Sequence, residues 1–183
     1  MKNKTVLYIT KTAMMLALLI GIQFATRSLT QFVTGSLVNL VLLTSVFMVG
    51  LGGGLTVAIA SPFLAFLAGI GPAFIQIVPF VAVGNAILAL VAYAVSRKRI
   101  GGKGLKETAL AAAGLVAAAA AKTLFLWVGL VIIALPLIHG LNEKQVTMIG
   151  TMFTWPQLVT ALIGGALAMA LVPLLKRATK REG

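Results

Sequence analysis

The apolar run from Ala109 to Leu135 constrains the fold most, because Lys122, near its middle, is its only charged residue. At ~1.5 Å per residue, an α-helix over this run is about 40 Å long, which exceeds the ~30 Å hydrocarbon core of a bilayer. The run therefore predicts a membrane-spanning helix. Lys122 lies roughly 20 Å from either end, too far for its ammonium to reach a headgroup region.

An ammonium at that depth needs a partner. The chain has only three acidic residues, Glu107, Glu143 and Glu182, and by sequence all three belong to loops or to the tail. We therefore expect the partner of Lys122 to be the anionic group of a bound ligand. The alternative is that Lys122 is neutral, or hydrogen-bonded to carbonyls and side-chain amides inside the helix bundle.

The composition predicts an integral membrane protein, since 60% of the residues are hydrophobic, 10% are charged and the mean hydropathy is +1.09. The 183 residues have room for about six crossings of ~20 residues and no separate soluble domain. We expect an all-α fold with residues 1–183 in a single membrane domain. The predicted helices lie at about 6–25, 37–49, 55–68, 74–96, 109–135 and 150–175.

The same composition argues against several kinds of site. There is no cysteine and only one histidine, so we predict no metal site, no cofactor and no catalytic residue, and the protein is not expected to be an enzyme. The net charge of +12 would suit nucleic acid only if the basic residues formed one soluble face. They cluster in loops instead, so a nucleic-acid partner is not expected.

Three polar or glycine-rich segments predict connections. Residues 26–36 read as a polar loop long enough to fold back over a site. The glycines of residues 50–54 predict a tight reversal between the second and third helices. Residues 136–147 read as a further loop before the last helix.

Basic residues are distributed unevenly between the two sets of helix ends. The N-terminus, the loop between the fourth and fifth helices and the C-terminal tail together carry twelve Lys or Arg, whereas the opposite loops carry only Arg27 and Lys144. By the positive-inside rule, we expect six crossings with both termini in the cytoplasm.

Most polar side chains within the apolar segments belong to the outer half of this arrangement. Each alone is also explained as a hydrogen bond between helices, and the tryptophans as an interfacial aromatic belt. Their shared depth instead predicts a pocket that opens outward, lined by amides and one cation. The residues expected to bind substrate are Gln23, Arg27, Asn39, Gln76, Asn85, Lys122, Trp127, Trp155 and Gln157.

The first helix carries a ridge of small residues. Ala13 and Ala17 are four residues apart on one face, and Gly21 continues that face. Such a ridge allows another helix to approach closely, although it is a common pattern in membrane helices.

Taken together, the size, the six helices, the cytoplasmic termini and the ridge AMMLA resemble the substrate-binding membrane subunits, or S-components, of energy-coupling-factor (ECF) transporters. The stretches TGSLVNLVLL, GIGPAFIQIVPFVAVGNAILAL and FTWPQLVTALIGG are similar to segments of small S-components. The resemblance implies uptake of a vitamin or related micronutrient across a prokaryotic plasma membrane. It also implies that Ala13 and Ala17 dock on a transmembrane T-component driven by two cytoplasmic ATPases, and that the loop after the first helix gates the site.

Other functions stay open. The chain has no GxxxxGK[ST] phosphate loop, so energy must come from a partner. A stand-alone secondary transporter is the main alternative, but we would expect an intramembrane Asp or Glu for it. A structural or assembly subunit would not account for polar residues gathered at one depth. Under the leading interpretation, the ligand carries an anionic or electron-rich group that meets Lys122, with Arg27 attracting it first.

Overall fold

The computed structural model describes residues 3–102 and 104–181, and these residues form helices and no strand. The predicted all-α class is therefore confirmed for this part of the chain. Lys2, Lys103 and Glu182, which enter the charge arguments above, lie outside the described residues.

The described residues contain seven α-helices. Their bounds are α1 Lys4–Thr26, α2 Gln31–Val49, α3 Leu51–Leu67, α4 Val78–Ser96, α5 Leu105–Phe125, α6 Glu143–Met152 and α7 Trp155–Arg181. A short 3₁₀ turn, Ile75–Ile77, leads into α4, and α5 continues as a π-helix, Leu126–Ala134, and a 3₁₀ turn, Leu135–Leu137. Five helical segments in this part of the chain are long and apolar enough to cross a membrane, and α3 is a shorter apolar helix of 17 residues. The protein is thus a helical membrane protein by length and composition.

The predicted loop over residues 26–36 is wrong in extent. Because α2 begins at Gln31, the connection after α1 contains only residues 27–30. The Thr34 hydroxyl of α2 donates to the backbone carbonyl of Thr26 over 2.9 Å, which fixes the two helix ends together. The segment is polar because side chains such as Gln31 and Thr34 border an interior cavity, not because it is a loop.

The glycines of residues 50–54 do more than make a turn. Only Gly50, with φ of +105°, separates α2 from α3, and the following glycines lie inside α3. A Cβ at Gly52 would lie 2.6 Å from the Tyr8 hydroxyl, and one at Gly53 would lie 2.9 Å from the Thr12 hydroxyl. Their missing side chains therefore let α1 approach α3.

The predicted loop over residues 136–147 ends in a helix that the hydropathy pattern missed. In α6, the Asn142 side chain accepts from the Gln145 backbone N–H and the Gln145 side chain accepts from the Asn142 backbone N–H, both over 2.9 Å. This reciprocal pair is a capping box, which stabilises the first turn of a helix. As a consequence the last long helix, α7, begins at Trp155 rather than near residue 150.

The six apolar helices α1–α5 and α7 alternate in direction, which gives the bundle two distinct ends. One end brings together Lys11 of α1, Met48 of α2, Ile100 after α4 and Arg177 of α7. This basic end also contains the described residues 97–102 of the connection between α4 and α5. The connections 27–30, 68–74 and 138–142 lie at the opposite end. Between the ends, the core is apolar and includes the fully buried Leu42, Leu88 and Val172.

Candidate functional site

An interior cavity of about 290 Å³ lies in the half of the bundle away from the basic end. Helices α1, α2, α3, α4, α5 and α7 form its sides, while α6 and the 68–74 connection contribute apolar side chains at the end of the bundle. The polar residues that line it are Gln23, Gln31, Thr34, Asn39, Ser61, Asn85, Lys122 and Gln157. Five of them, all but Gln31, Thr34 and Ser61, belong to the set predicted from sequence.

Lys122 is the only cation among these lining residues, and it is 3% exposed. Its Nζ donates to the side-chain oxygens of Asn39 on α2 and Asn85 on α4, each over 2.8 Å. These two bonds use two of the three donors of an ammonium. Both acceptors are neutral amides, which matches the alternative that hydrogen bonds inside the bundle hold Lys122. They orient the ammonium without adding a negative charge.

Asn39 is positioned by the contact between α2 and α7. Its Nδ2 donates to the Thr160 hydroxyl over 3.3 Å, and that hydroxyl donates to the Gln157 backbone carbonyl over 3.1 Å. A Cβ at Gly164 would lie 2.7 Å from the Asn39 Cβ, so only glycine fits there at this helix separation. A Cβ at Gly35 would likewise lie 3.0 Å from Thr160 Cγ2. The small residues of α2 and α7 therefore bring Asn39 to the cavity wall.

Asn85 and Lys122 meet across the packed pair α4 and α5. A Cβ at Gly84 would lie 3.0 Å from Leu126 Cγ, so the absence of a side chain allows this approach. Directly after Phe125, α5 widens into the π-helix, and the Leu126 N–H contacts the carbonyls of both Lys122 and Thr123. The predicted continuous α-helix over 109–135 is thus corrected, and π segments of this kind are frequent at functional sites.

Two glutamines border the cavity in different ways. The Gln157 side chain donates to the Met152 backbone carbonyl over 3.1 Å, which joins the start of α7 to the end of α6. Gln23 Oε1 is buried and has no hydrogen-bond partner among the described residues. The Gln157 side chain is therefore held by a hydrogen bond to the backbone, whereas the side-chain oxygen of Gln23 accepts no hydrogen bond from the described residues.

Four of the predicted substrate-binding residues do not line the cavity. Gln76 is exposed in the turn before α4, and the exposed Arg27 places its guanidinium over the Phe24 ring at 4.6 Å. Trp127 and Trp155 are 48% and 60% exposed. Their depth was argued from position along each helix, but depth does not determine which face of the helix a residue occupies. The exposed tryptophans fit the interfacial-belt interpretation.

Sequence reasoning missed Gln31, Thr34 and Ser61, together with apolar lining residues such as Phe74 and Phe153. The first two were assigned to a loop. Considered as helical, Gln31 stands three residues before Thr34 and four before Gly35, and Asn39 follows Gly35 by another four, so these residues share one side of α2. Nothing in the sequence pattern indicated that the 68–74 connection returns to the cavity.

The chemistry available in the cavity is that of recognition. The two acidic residues that the structure describes, Glu107 and Glu143, lie in the first turns of α5 and α6 at opposite ends of the bundle. Within residues 3–102 and 104–181, no three histidine or carboxylate side chains come together in a way that would hold a metal ion. Amides and an ammonium can bind a polar group, and the apolar walls can cover the remainder of a ligand.

We find no protein family, curated protein or solved structure that matches this chain.

Proposed function

We propose that this protein is the substrate-binding membrane subunit of an importer, an S-component of the ECF type, which captures a small molecule from outside the cell. The observation that supports the proposal most directly is the interior cavity around Lys122. Ligand sites are concave and mostly apolar, with a few polar groups that fix orientation, and they have volumes from ~300 Å³ upward. At about 290 Å³, with amides and one ammonium among apolar walls, this cavity suits a small ligand.

The proposed membrane placement has six crossings, α1 to α5 and α7, in the plasma membrane of a prokaryote. Cytoplasmic placement of the basic end follows the positive-inside rule, and the cavity then lies in the outer half of the bundle. The 17 residues of α3 give a helix of about 25 Å, short enough to require local thinning of the bilayer.

The proposed docking surface is the ridge of α1. Ala13 and Ala17 are exposed, and the space beside Gly21 is open, since no atom lies within 4 Å of the position of its Cβ. The other described helices therefore leave this ridge uncovered, as close approach by a T-component requires. The sequence has no GxxxxGK[ST] phosphate loop, so two cytoplasmic ATPases would supply the energy for transport.

The test purifies the unmodified protein and two variants in mild detergent. Mass spectrometry then identifies the small molecules that remain bound to each. Val81 lines the cavity one turn before Asn85, whereas Val83 on the same helix is 45% exposed. Val81→Trp should fill the cavity and lose the bound compound, while the matched control Val83→Trp should keep it. A compound retained equally by both variants, or absent from the unmodified protein, would contradict a ligand site in this cavity.

The coupling part of the proposal has a separate readout. Chain purified from its native membrane should retain an ATPase that contains a GxxxxGK[ST] loop, and Ala13→Trp should lose that ATPase but keep the bound compound. Transport of the compound in vesicles by this chain alone, without any ATPase, would instead indicate a stand-alone secondary transporter.

A further inference from the structure

We infer that the cavity takes a small organic monoanion of the carboxylate class, with its charged group at Lys122 and an apolar body directed toward α6 and the 68–74 connection. This inference rests on the proposed function of the cavity as a binding site. It specifies which chemical class of substrate that site selects.

The charge of the site supports an anion. Lys122 is 3% exposed, and its two hydrogen-bond partners, Asn39 and Asn85, are neutral. Of the acids in the described chain, Glu107 lies fifteen positions earlier on the same helix, about 22 Å along its axis. A charge in the membrane interior is costly unless it is paired. An entering anion would pair with the Lys122 ammonium and so supply the negative charge that no described side chain places beside it. An entering cation would be repelled by the same ammonium.

The donors of the site favour a single negative charge. One donor of Lys122 stays free of its two amide bonds, and no second cation is present among the residues that line the cavity. A phosphate monoester carries a charge of about −1.5 to −2 at neutral pH and three strong acceptor oxygens. One ammonium balances a carboxylate but not a phosphate.

The cavity also limits the size and shape of the ligand. At about 290 Å³ the cavity lies near the lower end of the ~300–1,000 Å³ range of ligand pockets, so it suits a compact ligand rather than a large one. The polar group of Asn39, Asn85 and Lys122 lies at the middle of its helices, whereas Phe74 and Phe153 lie at the end of the bundle. This polarity predicts a ligand with one charged end and an apolar opposite end, which the rings of Phe74 and Phe153 can contact.

The test uses pairs of an acid and its primary amide that have the same shape, namely 2-naphthoate with 2-naphthamide and indole-3-acetate with indole-3-acetamide. Binding to the purified full-length chain is measured by calorimetry at one pH and one salt concentration. We expect at least one acid to bind tenfold or more tightly than its amide. Lys122→Met should reduce the affinity for that acid by roughly tenfold to a hundredfold, the range for a hydrogen bond that involves a charged group.

A second variant keeps the test decisive if Lys122→Met does not fold. Asn85→Asp preserves the shape of the side chain and places a carboxylate 2.8 Å from the Lys122 ammonium, so the site becomes neutral. It should abolish the preference for the acid over the amide. Val83→Trp, outside the cavity, should retain that preference.

Each outcome decides the inference. Amides that bind as well as the acids, or an acid affinity unchanged in Asn85→Asp, would overturn the anionic class but leave the cavity as a ligand site. Failure of every probe to bind would also overturn the class as stated. In that case the comparison of carried compounds between Val81→Trp and Val83→Trp decides independently whether the proposed function stands.

Discussion

The contact between α2 and α7 at Gly164 leads to the sharpest prediction about stability. A Cβ at this position would lie 2.7 Å from Asn39 Cβ, 2.8 Å from the Ser36 carbonyl oxygen and 2.9 Å from the Leu40 backbone nitrogen. Two of these atoms are backbone, so no change of rotamer relieves the overlap. Because optimal contacts between carbon atoms lie at ~3.5–4.0 Å, Gly164→Ala must separate the two helices by roughly 1 Å.

The neighbouring residue Gly165 provides the matched control. Its Cβ would lie 3.6 Å from Leu115 Cβ, which is an ordinary contact. Both substitutions gain the same helix propensity, up to ~1 kcal/mol, but only Gly164→Ala adds the cost of overpacking, about 1–3 kcal/mol. The difference in unfolding free energy between the two variants should therefore be about 1–3 kcal/mol, with propensity cancelled.

Unfolding of both variants by SDS titration in the same mixed micelles measures this difference. Gly165→Ala should match or exceed the unmodified protein in stability, and Gly164→Ala should fall below Gly165→Ala. Ligand affinity should fall in Gly164→Ala as well, because displacement of α2 moves Asn39 away from Lys122 and Thr160. Equal stability of the two alanine variants would refute the close α2–α7 packing and, with it, this account of how Asn39 is positioned.

Three further predictions concern topology, coupling and packing. Thr147→Cys, on the exposed face of α6, should react with an impermeant thiol reagent on intact cells, whereas Thr179→Cys should react only after lysis; the reverse pattern would invert the orientation. Ala13→Trp should abolish uptake without loss of ligand binding, while Leu18→Trp, also exposed on α1, should not; equal effects would mean that the ridge is not a docking surface. Ser96→Ala removes a buried 3.0 Å bond to a backbone carbonyl of α5 and should cost ~0.5–1.5 kcal/mol in SDS unfolding, and an unchanged value would contradict that bond.

The sequence predicted the elements whose signal is length and apolarity. The bounds of α1 differ from the prediction by one or two residues, and the buried position of Lys122 followed from its distance to either end of its apolar run. The gathering of Asn39, Asn85 and Gln157 around one cavity also followed, since position along each helix places them at a similar level of the bundle. These features depend only on the order of residues along one helix.

Features that depend on the orientation of a helix about its axis were not predictable in this way. In a helix surrounded by lipid and by other apolar helices, every face is apolar, so the periodicity that marks the inward face of a soluble helix is weak. Gln76 and Trp127 were therefore placed at the cavity by depth, although both face outward. The same limitation hid Ser61, which borders the cavity from α3.

Polar residues led to a wrong loop prediction where they border the cavity. Gln31 and Thr34 are helical residues that border the cavity, yet they stand in a stretch that looks like a connection. In α6, by contrast, the local signal was present, because Asn142 and Gln145 have the spacing of a capping box. The helical assignment of Gln31 and Thr34 needed the tertiary structure, whereas the start of α6 could have been predicted from the capping-box spacing alone.

The choice of asparagine at positions 39 and 85 separates two roles that an acid would combine. An amide oxygen accepts a bond from Lys122, and so joins α2 and α4 to α5, without cancelling the charge of the ammonium. A carboxylate would join the helices at least as strongly, because hydrogen bonds between charged groups exceed those to neutral ones. It would, however, leave no charge for a ligand. Asn85→Asp therefore tests the distinction directly: stability maintained with loss of acid binding assigns the free charge of Lys122 to recognition, and loss of neither assigns Lys122 to structure alone.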